Sequence, residues 1–349
     1  MKKRFLALML VVTLVAGTFA ACGGGSDKGG AAEGTADEVF TMKWAHSSPA
    51  DNDRLPDASV QIIKEIEEES NGRLVFEHYP ASQLGAEREQ LEGVQMGTID
   101  VCIVSTGPIA GMFPEIAVTA IPYLITDRDT AYAVYDGEFG QTLAKKMEEK
   151  TGIKVFGWGE NGFRTFSNNK RPVATPADMK GLKIRTMENP VHMKLVELLG
   201  ASAIPVTFAE LYTALSQGTV DGQENGLTLT YTNKLYEALK YITDDNHIYD
   251  VYCVAMSKES YNKLPKDLQE LLDRKMRDFI DLERQLNLEY EQTSVEAMKA
   301  AGIEFTYLTD EQRQMFKDAT ASIVDMARKD AGDELVDLFL SEVEKAQNK

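Results

Sequence analysis

Histidine and cysteine are scarce in this chain, with four of the first and three of the second in 349 residues. His46, His78, His192 and His247 stand far apart, and no metal-ligand spacing joins them. The sequence contains no HExxH, no paired CxxC, no GxSxG and no phosphate-cradling glycine loop. No two carboxylates stand out as an acid/base couple. Neither a metal nor a cofactor is expected, and an enzyme has little residue-level support. Basic residues also run short, at 37 Lys and Arg against 55 Asp and Glu, a formal net charge of −18. That balance argues against a nucleic-acid partner and against a polybasic hold on anionic lipid. It repels anions at long range too, so an anionic ligand would need a locally positive pocket. The apolar run Phe5 to Val15 is shorter than the roughly 18 to 20 residues of a spanning helix.

What is present begins with a targeting segment. Lys2, Lys3 and Arg4 precede the apolar run, and small residues follow it. Phe19-Ala20-Ala21-Cys22 resembles a bacterial lipobox, so residues 1–21 are expected to be a signal peptide and Cys22 a lipidation site. Residues 22–37 are Gly-rich with nothing to bury, which reads as a flexible, lipid-anchored tether on the extracytoplasmic side of the cell membrane, periplasmic or outer face. Cys102 and Cys253 lie in apolar, strand-like runs and read as free buried thiols. A disulfide between them is the alternative that an extracytoplasmic location allows.

From Val39 the pattern alternates strand and helix. Strands are expected at Val39–Ala45, Leu74–Tyr79 and Ile99–Ser105, with helices at Pro56–Ser70 and Glu87–Met96 between them. That order predicts right-handed crossovers and a mostly parallel sheet, with ligand loops beyond the strand ends at His46-Ser47-Ser48 and Ser105-Thr106-Gly107. One helix is expected over Ala131–Glu149 and a strand over Ile153–Trp158. Asn161–Ser167 is strand-like and carries Arg164. Thr207-Phe208-Ala209-Glu210 reads as a capping box, and Tyr231–Ala238 as a helix. Lys266–Ala301 is periodic and free of Gly and Pro, so a helix of about 50 Å is expected, long enough to brace two lobes.

Arg164 and Arg185 each lie in an apolar strand-like context beside Gly or turn residues. Arg presents a planar fork suited to bidentate carboxylate binding and keeps its charge. The pattern fits an internal ion pair equally well. Glu224 beside a carboxylate site would repel a ligand unless it pairs with an Arg, and that pairing is the expectation.

Several stretches, in order and with their spacing, carry a resemblance. They are Ser82-Gln83-Leu84-Gly85, Gly97-Thr98-Ile99-Asp100, Asn161-Gly162-Phe163-Arg164, Met179 to Arg185, Phe208 to Leu215 and Val220 to Asn225. From about Val39 into the C-terminal helices the chain resembles the DctP-type solute-binding proteins of tripartite ATP-independent periplasmic (TRAP) transporters. The resemblance implies an α/β, two-lobed periplasmic-binding-protein clamp with a long helix bracing both lobes. Lobe I would be 38–161 plus 251–290, and lobe II 162–250 plus 291–349.

It also implies roles. Arg185 would fork onto a ligand carboxylate, Arg164 would support it, Asn225 would hydrogen-bond the same carboxylate and Phe208 would pack on the ligand. His46, Ser47, Ser105, Thr106, Arg88 and His247 would line the rest of the cleft. The small hydroxyls at Ser105-Thr106 favour a hexuronate or aldonate over sialic acid. The implied partners are a small organic acid, a TRAP membrane permease and, through Cys22, the membrane, with the protein acting as a monomer. A C4-dicarboxylate binder, a sensory binding protein serving a receptor kinase, and an extracytoplasmic enzyme acting on uronates are the rival readings.

Overall fold

The computed structural model describes residues 38–348. The expected signal peptide, the tether and Cys22 lie outside those residues.

The first strands and helices follow the alternation in the sequence. They are β1 (Phe40–His46), α1 (Arg54–Glu69), β2 (Leu74–Tyr79), α2 (Glu87–Met96) and β3 (Val101–Ser105). Asp53 caps α1, its carboxylate accepting from the Leu55 amide at 3.0 Å. A short helix α3 (Thr106–Ile109) continues directly from β3. The expected helix at 131–149 is two helices, α4 (Arg128–Asp136) and α5 (Glu138–Thr151). The break falls at Gly137, where the chain turns extended.

Next comes β4 (Ile153–Asn168), which merges the two expected strand-like runs into one. It is followed by β5 (Lys183–Thr186), α6 (Pro190–Leu198) and β6 (Ser202–Pro205). The Thr207 capping box does not form, because the Thr207 hydroxyl donates to the Glu210 carboxylate at 2.9 Å instead of capping the backbone. The chain continues through α7 (Leu211–Ser216), β7 (Gly222–Gly226) and α8 (Leu227–Thr232). The expected helix at 231–238 is interrupted at Lys234, which is left-handed (φ 57°), leaving α8 and a 3₁₀ turn. Then follow β8 (Tyr241–Ser257), α9 (Lys258–Lys263), α10 (Lys266–Ala300), β9 (Glu304–Tyr307), α11 (Asp310–Thr320), α12 (Ile323–Ala331) and α13 (Asp333–Gln347).

Nine strands form one mixed sheet in the order β2-β1-β3-β8-β4-β7-β5-β6, with β9 on the free end of β8. The two flanks are parallel, as expected. The centre is not: β3–β8, β8–β4 and β4–β7 are antiparallel. The β4–β8 ribbon runs from Ile153 opposite Ser257 to Asn168 opposite Tyr241, so it belongs to both flanks. Its register shifts three times, at Val155/Gly157, Glu160/Gly162 and Arg164/Phe166. Each bulge bends the ribbon and weakens its ladder locally.

One core packs Trp44, Leu55, Ile62 and Phe279 between α1, α10 and the β1–β3 flank. On the opposite face Leu143, Trp158, Phe139 and Phe339 join α5, β4 and α13. A third core gathers Ile184, Leu195, Phe166 and Phe316 around β5 and α6. The 35 residues of α10 span about 52 Å. This helix contacts α1, β4 and α8, and so touches both flanks. Cys102 and Cys253 are free, buried thiols, and the disulfide alternative is corrected.

Candidate functional site

Beyond the ends of β1, β3 and β5 a narrow, almost closed cavity lies between the flanks. Strand ends are where α/β sheets expose loops and backbone groups to a ligand. From the β1–β3 flank come Ser47, Ser48, Leu55, Glu87 and Ser105; β4 and β8 supply Asn161 and Tyr252. The other flank supplies Arg185, Met187, Phe208, Asn225 and Leu229.

Arg185 is 2% exposed. Its Nε donates to the Val206 carbonyl at 2.8 Å, while Nη1 has no hydrogen-bond partner. Among the described residues no carboxylate forms an ion pair with it. Burial lowers its pKa to about 10, opposed by Glu224 and Glu87 and reinforced by Arg164. The group therefore stays cationic at neutral pH, buried and unneutralised at contact distance. Burial of an unpaired charge is costly, so a carboxylate delivered to this point removes a penalty as well as adding a bond.

Glu87 is the carboxyl group in the same cavity. Its oxygens accept from the Ser105 amide at 3.0 Å and from the Ser105 hydroxyl at 2.7 Å. Burial pushes its carboxyl pKa up, against those two hydrogen bonds and Arg185. Asn225 gives one amide hydrogen to the Gln223 side chain, which itself donates to Ser167 at 2.8 Å.

Of the residues expected from sequence, Arg185, Asn225, Phe208, Ser105 and Ser47 come together in this cavity. Five others do not line it. Arg164 is fully buried, with Nε on Glu224 and Nη1 on Asp250 at 2.9 Å. Thr106 donates to the other oxygen of Asp250 at 2.7 Å. His46 faces His78 at 2.8 Å between ring nitrogens, and burial with His78 lowers its pKa to about 3. Arg88 is 38% exposed and pairs with Glu188 at 3.1 Å, joining one flank to the other. His247 is held by Asp245 at 2.8 Å and Glu224 at 3.4 Å and stacks on Phe166. Glu224 does pair with an Arg, as expected, but with Arg164. Against its burial, Arg164, His192 (3.3 Å away) and His247 keep its carboxyl well below the usual range.

Sequence reasoning missed Glu87, Asn161, Met187 and Tyr252. A Glu in the first turn of a helix reads as a complement to the helix dipole, and nothing local says that it faces a cavity. Met187 carried a signal, since it lies two residues beyond Arg185, the repeat of an extended chain.

His247 has a consequence for pH. Against burial, Asp245 and Glu224 raise its pKa from 6.5 to about 9. A raised pKa gives stability that is fully present below pH 6.5 and is lost as pH rises through about 9. Melting curves between pH 6.5 and 9.5 should therefore fall in the wild type and flatten in His247→Gln. A wild-type curve that rises over this range would refute the assignment of charge to His247.

Comparison with known proteins gives a consistent result. The family model described as bacterial extracellular solute-binding protein, family 7, matches residues 44–330. A solute-binding protein of Verminephrobacter eiseniae is 41% identical over 240 residues, 68% of this chain and 71% of that protein. The 2,3-diketo-L-gulonate-binding periplasmic protein of Escherichia coli is 35% identical over 266 residues, 76% of this chain and 80% of its own. Among solved structures, the sugar acid binding protein of Advenella mimigardefordensis in complex with galactonate superposes with a TM-score of 0.86 at 28% identity. The match covers 88% of this chain and 99% of that one. Among the described residues no helix is long and apolar enough to cross a membrane.

Proposed function

The chain belongs to the bacterial extracellular solute-binding proteins of family 7, the TRAP-transporter type, and on that premise we propose that it captures a small polyhydroxylated monocarboxylate. A hexuronate or an aldonate is the favoured class. The observation that carries this reading is Arg185, a buried guanidinium with a free Nη1 at a cavity and no carboxylate of its own. The ligand carboxylate takes that fork, with Asn225 beside it and Phe208 against the carbon chain.

Glu87 separates the sugar acid from the C4-dicarboxylate. The cavity holds one guanidinium and one carboxyl, since Arg88 is engaged by Glu188. An ionised Glu87 accepts from ligand hydroxyls and repels a second carboxylate. A protonated Glu87 would tolerate one; burial favours that proton, while the Ser105 hydrogen bonds and Arg185 oppose it. Binding and release without turnover is supported by the relatives, which are solute-binding proteins.

The cargo then passes to a membrane permease, with the binding protein held to the membrane through Cys22. The two-lobe division goes with this reading. The bulges at Glu160/Gly162 and Arg164/Phe166 are the flexing points of the ribbon that joins the lobes. The segment 291–349 was expected in lobe II, but its α13 packs on α4 and α5, which lie within 38–161, so α13 is assigned to the first lobe instead. Closure around the acid expels water and strengthens its ion pair with Arg185.

A thermal-shift panel of four- to six-carbon aldonates, uronates and succinate tests the substrate class. A true ligand at 100 times its Kd should add about 2.7 kcal/mol of stability. The expected order is hydroxy monocarboxylates ahead of succinate, with Glu87→Gln narrowing the gap by about tenfold, or about 1.4 kcal/mol. Succinate binding tighter than every hydroxy acid would overturn the class.

A further inference from the structure

We propose that Met187 sets the length of acid the cavity accepts, acting as a movable ceiling at the Ser105–Glu87 end; the inference rests on the sugar-acid reading above. Met187 is buried, 4% exposed, yet it belongs to none of the hydrophobic cores among the described residues. The other buried apolar walls of the cavity do belong to one: Leu55 and Tyr252 to the α1–α10 core, Leu229 to a smaller core around α7. Packing within the fold therefore accounts for those three and not for Met187. Its environment is the cavity and the facing flank.

Two features hold it there. The Ser105 hydroxyl lies 3.4 Å from the Met187 sulfur. Gly107 lies beneath the side chain, where an added Cβ would come within 2.5 Å of the Met187 sulfur and 2.7 Å of its Cβ. A residue with a side chain at 107 would thus push Met187 out. The next residue, Glu188, is tied to Arg88 across the same gap. The carboxylate of an acid is fixed at Arg185, and Met187 follows two residues later on the same chain. At about 3.3 Å per extended residue, their Cα atoms are separated by roughly 6.6 Å. An acid that runs from Arg185 towards Ser105 and Glu87 meets the thioether as it lengthens. Methionine is unbranched and has three rotatable side-chain bonds, so the ceiling yields to some degree rather than excluding absolutely.

The test is calorimetry of the mature chain with D-erythronate and D-galactonate, four- and six-carbon acids of the same class. In Met187→Ala the ratio of the two dissociation constants should shift towards the longer acid by about tenfold or more, the scale at which a few methylenes discriminate. In Met187→Leu, which conserves volume, the ratio should stay within about threefold of the wild type. An unchanged ratio in Met187→Ala, or an equal loss of both acids, would overturn the inference while leaving the functional reading intact. Failure of the wild type to bind either acid would overturn both.

Discussion

Replacing Arg185 by methionine should weaken acid binding by a factor of about 30 or more, and should not destabilise the ligand-free protein. The two halves of this expectation come from one geometry. Removing one partner of a desolvated charged pair costs roughly 2 to 5 kcal/mol of binding, and 1.4 kcal/mol is tenfold. In the free protein Arg185 has no such partner among the described residues, only the Val206 carbonyl and an open Nη1. A buried charge without compensation is a cost to the fold, and an apolar side chain of similar volume commonly relieves it. The melting temperature without ligand should stay level or rise, while the ligand-induced shift disappears. Arg185→Lys keeps the charge but loses the planar fork, so its affinity should fall between the two. A variant that melts several degrees lower without ligand would make Arg185 a structural residue instead.

Replacing Arg164 by methionine should do the opposite. This guanidinium engages both Glu224 and Asp250 at full burial. Its loss strands two buried carboxylates, and breaking a buried pair by removing one partner costs about 3 to 5 kcal/mol. At about 2 °C per kcal/mol for a chain of this size, the melting temperature should fall by roughly 6 to 10 °C. Affinity should fall as well, but indirectly: a Glu224 released from Arg164 is free to attract Arg185 and compete with the ligand. The family resemblance implied a supporting role for Arg164 in the site. A variant that keeps the wild-type melting curve and loses only affinity would show that Arg164 touches the ligand itself.

The sequence made some of this legible and hid the rest for identifiable reasons. Helix α10 could be read because an uninterrupted apolar period leaves no other local solution. The flanking strands could be read because β1, β2 and β3 alternate with helices that carry their own start and stop signals. The antiparallel centre could not, since β4 and β8 meet only through pairing across about ninety residues, and neither strand states its partner. Gly137 broke an expected helix, while Gly140 three residues on did not, because a glycine inside a periodic run does not announce whether the chain continues. In the site, Arg185 and Asn225 were recoverable from strand context and family spacing. Arg88, His46, Thr106 and His247 were expected to line the cleft, but they do not, because Glu188, His78, Asp250 and Asp245 hold their polar groups. Which of two nearby polar groups a side chain satisfies is decided by tertiary distance, and the same limit concealed Glu87.

The most direct measurement of the central claim sets charge against shape. Calorimetry would compare four- to six-carbon aldonates with sugar alcohols of the same carbon skeleton, on the wild type and on Arg185→Met. The account predicts that an acid binds the wild type, that its alcohol does not bind measurably, and that the acid's advantage vanishes in the variant. An alcohol that binds as tightly as its acid, or an acid whose affinity survives the loss of Arg185, would contradict it.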